Sequence, residues 1–388
     1  MHRIAEAQLQ FWTEHGPDRE YGGFHGQLDR RGLPTGSGDK GLIQHARHLW
    51  SFSTWYERRE ATAPVAEIAH RLYEYINTHF ADRSGSGFFR KIARNGIVTE
   101  AAHQVYPEAF AVYALATYGR VFDNAEAVAI ASRCFRAFDA RVHEPRFGGY
   151  DLTGDPPWQS PGASKETNTH IHVMEALTAL GEVVVDAYVH ERLREFTELA
   201  ITKHRQPANY AHLEFALDYT PIGDPVVSYG HDMETSWLVT DALRVLDTKS
   251  VVAPLPASIR QLALTMGKAS ASWGLDVEKG GYFNKGVPEG RVLDREKVWW
   301  VQFEALPALV QLHLSRVLPD ALTRLERTLD WIESSQIDNE YGGVYWGVLP
   351  DGTLGAYGDI KGDPWKASYH ELRALIFAAD WLELAQRP

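Results

Sequence analysis

The chain has a single cysteine, Cys134, so no intrachain disulfide forms, and its apolar setting AIASRCFRAF marks it as a buried free thiol. That scarcity points to a reducing, cytoplasmic setting. No uninterrupted apolar run reaches membrane-spanning length, and the N-terminal MHRIAEAQLQFW places Glu6 inside its apolar pattern instead of a continuous signal-peptide core. No membrane partner is expected. Lys and Arg are scattered, and the net charge of −12 leaves no basic stripe from which counter-ion release would drive nucleic-acid binding. Phosphate-cradling loops, dinucleotide fingerprints and a nucleophile elbow are likewise not expected. No Pro/Ser-rich linker divides the chain, so residues 1–388 read as one domain.

Aromatics, by contrast, are plentiful. Twelve tryptophans are present; most read as core, but several stand beside His, Glu or Arg, as in clefts that stack indoles on the C–H faces of sugars. A 3.6-residue apolar period predicts helices at about 1–14, 38–59, 63–82, 102–121, 125–141, 168–183, 187–203, 229–247, 254–273, 295–315, 319–335 and 366–385. Between pairs of helices a glycine stretch recurs: Gly22-Gly23, Gly87 in SGSGFF, Gly148-Gly149, Gly280-Gly281 and Gly342-Gly343. Its interval is roughly sixty to sixty-five residues, apart from one double gap where a sixth copy near QPANYAHLEF lacks the glycines. A longer loop covering the site is expected there.

Six hairpins of this kind stack as an open solenoid or close into a ring. The polar residues favour closure, because they fall on every second helix: Arg47, then Tyr106 and Glu108, Asn168 and His172, His231 and Glu234, Trp300 and Glu304, and His370. The expected fold is therefore all-α, an (α/α)6 barrel, or toroid, of six helical hairpins with short Gly-Gly β-turn connections, its inner helices pointing these residues into one cavity.

Within SYGHDMETSWL, His231 and Glu234 share a helix face at i,i+3 and form an acid/base candidate. His170 and His172 lie about 200° apart on a helix and cannot chelate one ion; His45 and His48 have better spacing but no evident third ligand, so no metal is expected. A glycosidase using two of Glu108, Glu234 and Glu304 remains open, as does a helical-repeat scaffold without activity. Histidines on opposite sides of a cavity with an arginine fit proton abstraction beside a carbonyl better.

The motifs KGLIQHARHLWSFS, NTHIHVMEALTAL, SYGHDMETSWL, KVWWVQFEAL and WKASYHELR, spread over about residues 10–385, resemble those of the N-acylglucosamine 2-epimerase superfamily, which includes cellobiose 2-epimerases, mannose 2-epimerases and mannose isomerases. The resemblance implies an (α/α)6-barrel isomerase that epimerises a reducing sugar without a cofactor, most simply D-mannose and D-glucose, with cellobiose epimerisation or aldose–ketose isomerisation as alternatives. It also implies roles: His231 and His370 as the two general acid/bases, Arg47 on the enediolate oxygen, and Glu234 orienting His231. Asn168 and His172 would contact the sugar, with Tyr106, Trp300, Glu304, Trp365 and Trp50 lining the pocket. The expected partner is a small sugar, and the expected assembly a monomer or homodimer.

Overall fold

The computed structural model describes residues 1–59, 62–85, 87–153 and 163–386. Among them are twelve α-helices: α1 His2–His15, α2 Leu42–Arg58, α3 Ala63–Tyr75, α4 Val105–Val121, α5 Ala125–Val142, α6 Thr167–Val183, α7 Ala187–Leu199, α8 Tyr229–Thr248, α9 Ser258–Trp273, α10 Trp299–Leu314, α11 Ala321–Trp331 and α12 Tyr369–Gln386. The even-numbered helices pack on one another in order, α2 on α4, α6, α8, α10 and α12, and α12 returns to α2. This closes the ring, and each odd-numbered helix covers it from outside, α1 lying on α12. Sequence composition assigns the layers. In α11 only Ala321, Leu325, Thr328 and Trp331 are buried, the single stripe of an outer helix, whereas α4 is buried on nearly every side. No helix among the described residues is long and apolar enough to cross a membrane.

The boundaries differ from the sequence expectation in two ways. Outer helices α3, α7 and α11 each end in a π turn, at Ile76–Phe80, Ala200–His204 and Ile332–Gln336. The long connections also carry short antiparallel ladders, such as Lys40–Gly41 with Lys91–Ile92, which trim the starts of the inner helices. Such two-residue strands leave no periodic signal.

The Gly-Gly stretches are one repeated device. Asp18, Glu144, Asp276 and Asp338 each accept backbone N–H groups two and three residues ahead, closing the turn. A buried lysine then donates to the carbonyl of the first glycine: Lys40 to Gly22 at 2.5 Å, Lys165 to Gly148, Lys297 to Gly280 at 2.6 Å and Lys361 to Gly342 at 2.7 Å. Both glycines of each pair have positive φ, where a Cβ is strained. The run Gly36–Gly41 does have the GxGxxG spacing of a dinucleotide loop, contrary to expectation, but its Lys40 is committed to this clamp, 3.1 Å from Asp18.

At QPANYAHLEF the turn survives without glycine. Asn209 takes φ +63° and the turn closes from Gln206 N–H to the Tyr210 carbonyl at 2.8 Å, a conformation asparagine tolerates. The expected long covering loop is not here; the longest connection between helices is 337–368, which carries Trp365 to the site.

Candidate active site

A polar side chain three residues into five of the six inner helices fixes that helix against its turn. His45, Glu108, His170, Asp232 and Gln302 accept the backbone N–H of Phe24, Phe88, Tyr150, Ala211 and Tyr282, at 2.7–3.2 Å. Gly87, at φ +132°, is needed because a Cβ there would lie 2.4 Å from Glu108 Oε1. Two residues beyond these anchors come Arg47, Phe110, His172, Glu234 and Glu304, and on α12 Arg373. The anchors point away from the barrel axis, so this second set forms a ring around it.

The anchoring role corrects one expectation. Glu108 is fully buried against Phe88 N–H, His103 Nδ1 at 2.8 Å and the Cys134 thiol at 2.8 Å, outside the cavity, so it cannot serve as one of a hydrolase's pair of carboxylates. His45 and His48 do not form an ion site either. His45 bridges the Gly41 carbonyl and Phe24 N–H, while His48 Nδ1 meets Ser368 Oγ at 2.9 Å. His170 and His172 diverge as the helical geometry requires, His170 onto Tyr150 and His204, His172 onto Glu175.

Arg373 is the hub of the ring. Its guanidinium donates to Glu175, Glu234 and the Tyr369 hydroxyl, and to Glu304 at 2.6 Å. Glu175 in turn accepts from Tyr369 at 2.5 Å and holds His172 Nδ1 at 2.9 Å. Glu304 Oε1 meets His370 Nδ1 at 2.6 Å, and its Oε2 accepts the Trp237 indole N–H at 3.0 Å. Ligand atoms of Glu234, Glu304 and His370 lie within 4.8 Å of one another, a spacing a cation would accept, but the Arg373 guanidinium already binds both carboxylates. A metal would have to displace it, so these residues do not fit an ion.

Above this floor, Arg47 lies 4.3 Å over the Phe110 ring, donates to Tyr106 Oη at 3.0 Å and binds the Trp365 carbonyl. His231 Nδ1 is held by Ser228 Oγ at 2.8 Å, and the Trp300 indole stands 4.7 Å from the His231 ring and 6.0 Å from that of His370. Asn168 Oδ1 and Arg47 Nε are buried without a protein partner.

Burial dominates the titration of these groups. It lowers His231 to about 4, with Glu234 opposing, and holds His370 well below its ordinary value, aided by Arg47 and Arg373. Burial also raises Glu304 to about 8 against the pull of Arg373, with the Glu234 carboxylate adding to the rise. The proton between Glu304 and His370 therefore belongs to the pair. Glu175 goes the other way, to about 2, because Arg373 and His172 outweigh its burial.

The structure brings together His231, His370, Arg47, Glu234, Tyr106, Asn168, His172, Trp300 and Glu304, with Trp365 at the rim, 48% exposed. Trp50 is not among them: it lies one layer deeper, stacked on Tyr113 and lining a cavity at the opposite end. Glu234 does not orient His231 by a hydrogen bond, since its carboxylate binds Arg373 and Ser228 holds the imidazole. Arg373 and Glu175 were given no role from sequence. Both stand three residues after a site histidine, His370 and His172, a spacing that flags a shared face.

A family model described as N-acylglucosamine 2-epimerase (GlcNAc 2-epimerase) matches residues 22–374. The cellobiose 2-epimerase of Bacteroides fragilis is 30% identical over 95% of this chain and 94% of its own. The structure of cellobiose 2-epimerase from Spirochaeta thermophila superposes with a TM-score of 0.87 at 30% identity, covering 99% of this chain and 96% of that one. A D-mannose isomerase structure shares the fold, with a TM-score of 0.85 at 18% identity, over 99% and 97% of the two chains.

Proposed function

Since the chain belongs to the N-acylglucosamine 2-epimerase family and is a carbohydrate epimerase of the isomerase class, we propose that it epimerises C2 of a reducing aldose through a cis-enediolate, with His231 and His370 as the acid/base groups. One observation carries this reading: two imidazoles on different helices, both kept neutral by burial, each with Nδ1 tied to a protein oxygen and Nε2 left for a substrate.

In one direction His231, its Nδ1 proton donated to Ser228 Oγ, removes the C2 proton with the lone pair on Nε2, while His370, its Nδ1 accepting the proton that Glu304 carries, holds its own proton on Nε2. His370 returns that proton to C2 on the opposite face as the Glu304 proton passes to its Nδ1, which inverts the centre, and the two imidazoles exchange roles in the reverse reaction. Arg47 supplies positive charge to the enediolate oxygen, and its buried Nε is a donor without a protein partner. Asn168 and His172 hold the sugar for ring opening, while Tyr106, Trp300 and Trp365 provide the walls. Glu234 and Glu304 act through Arg373 and His370. Hydrolysis is disfavoured because both carboxylates bind one guanidinium instead of facing each other across a bond.

D-mannose and D-glucose, aldohexoses that differ only at C2, meet these requirements. A β-1,4-linked disaccharide such as cellobiose is the second reading, supported by the half-exposed Trp365 indole, which offers a platform outside the catalytic layer, and by relatives named cellobiose 2-epimerase. Turnover in heavy water should place deuterium at C2 of the product, and His231→Asn and His370→Asn should each abolish it. Full retention of the original C2 hydrogen sinks the mechanism. A kcat/KM higher for cellobiose than for mannose, lost in Trp365→Ala, selects the disaccharide.

A further inference from the structure

The C-terminal ends of the inner helices enclose a second cavity of about 240 Å³, on the far side of the Arg373 floor. Its aromatic lining comes from Trp50, Tyr113, Trp237, Phe377 and Trp381. Around them stand three arginines, Arg58, Arg120 and Arg244, and, besides Glu175 in the floor, three carboxylates, Glu182, Asp241 and Asp380. These are already matched: Arg244 bonds Asp241 at 2.7 Å and Glu182 at 3.0 Å, Arg58 stands 3.6 Å from Asp380, and Arg120 pairs with Glu57.

That arrangement discriminates among ligand classes. An anion would meet the carboxylates and the negative ends of the helices; a cation would meet three guanidinium groups. A neutral polyol avoids both penalties, because its hydroxyls accept from arginine and donate to carboxylate, and its C–H faces stack on indole. The volume is below the ~300 Å³ at which pockets for drug-sized ligands begin, which limits the occupant to a single sugar ring.

We infer that this far-end cavity is a second, non-catalytic binding site for one monosaccharide. The site has no acid/base pair, so it does not turn its ligand over. It is nevertheless wired to the catalytic layer through residues that face both. Trp237 lines the cavity and donates to Glu304, the partner of His370, while Glu175 lines it and holds His172. A sugar seated there bears on His172 through Glu175, and on His370 through Trp237 and then Glu304. This inference does not depend on which aldose is epimerised.

The test uses the full chain labelled with 5-fluorotryptophan and titrated with methyl α-D-glucopyranoside, a glycoside that cannot open. The Trp381 fluorine resonance, assigned through Trp381→Phe, should shift saturably. Ala179→Phe fills the cavity from α6 without touching the catalytic groups; it should raise the midpoint at least about tenfold, roughly 1.4 kcal/mol of binding, while leaving C2 labelling intact. Asp241→Asn, which removes the charge but little volume, should weaken binding in the same assay. An unshifted Trp381 resonance in the wild-type protein overturns the inference whatever the variants do. So does a shift that persists unchanged in Ala179→Phe. Neither result touches the epimerase reading, which C2 labelling reports separately.

Discussion

His231 owes its behaviour to burial more than to charge: loss of water pulls it to about 4, and the Glu234 carboxylate only partly restores it. A base of this kind is unprotonated across the neutral range, so the acid limb of kcat/KM should lie below the ordinary histidine value of about 6.5. Trp300→Ala admits water beside the ring and should move that limb upward, toward 6.5; an unmoved limb in the pH profile would show that Trp300 does not exclude water from His231. Glu108 makes the opposite case, a buried carboxylate with a purely structural part. Glu108→Gln weakens its contacts to Phe88, His103 and Cys134 and should cost about 1–3 kcal/mol in urea unfolding, with turnover retained. Loss of turnover in a folded Glu108→Gln protein would return it to the chemistry.

At the level of elements, the repeated acid, Gly-Gly and lysine set holds the entry to four of the inner helices. Lys297 is fully buried, 2.8 Å from Asp276, and lies 3.5 Å over the Trp331 ring. Lys297→Met leaves the Asp276 carboxylate buried without its counter-charge and should destabilise the protein by about 3–5 kcal/mol, measured by denaturant unfolding. Adding Asp276→Asn should recover part of that loss, because the uncompensated charge is then gone. The glycines and their spacing were legible in sequence, since φ > 0 is a local demand. The lysine was not, because it follows each glycine pair at a distance set by tertiary approach and each copy reads alone as an exposed cation.

For the whole molecule, closure is what makes a site. Helix α1 bears no site residue, yet it packs on α12, which carries His370 and Arg373. Deleting residues 1–15 should therefore abolish turnover and lower the thermal midpoint by several degrees, as expected when a loss of kcal/mol size strikes one cooperative unit. An open array of repeats would lose only its terminal unit, so near-normal activity in the truncated protein would contradict a cooperative ring. Much of the fold was legible: helix order, the alternation of inner and outer layers, and the faces bearing Arg47, His172, His231 and His370 follow from period and repeat, which are local properties of the chain. Only the tertiary structure decided what those faces meet. It alone put Arg373 between three carboxylates from three helices, moved Trp50 below the floor and Glu108 outside the cavity, and opened a second cavity at the far end. The physical reason is that a helical period fixes the direction of a side chain about its own axis, whereas partner, depth and protonation depend on neighbours that closure brings from more than a hundred residues away.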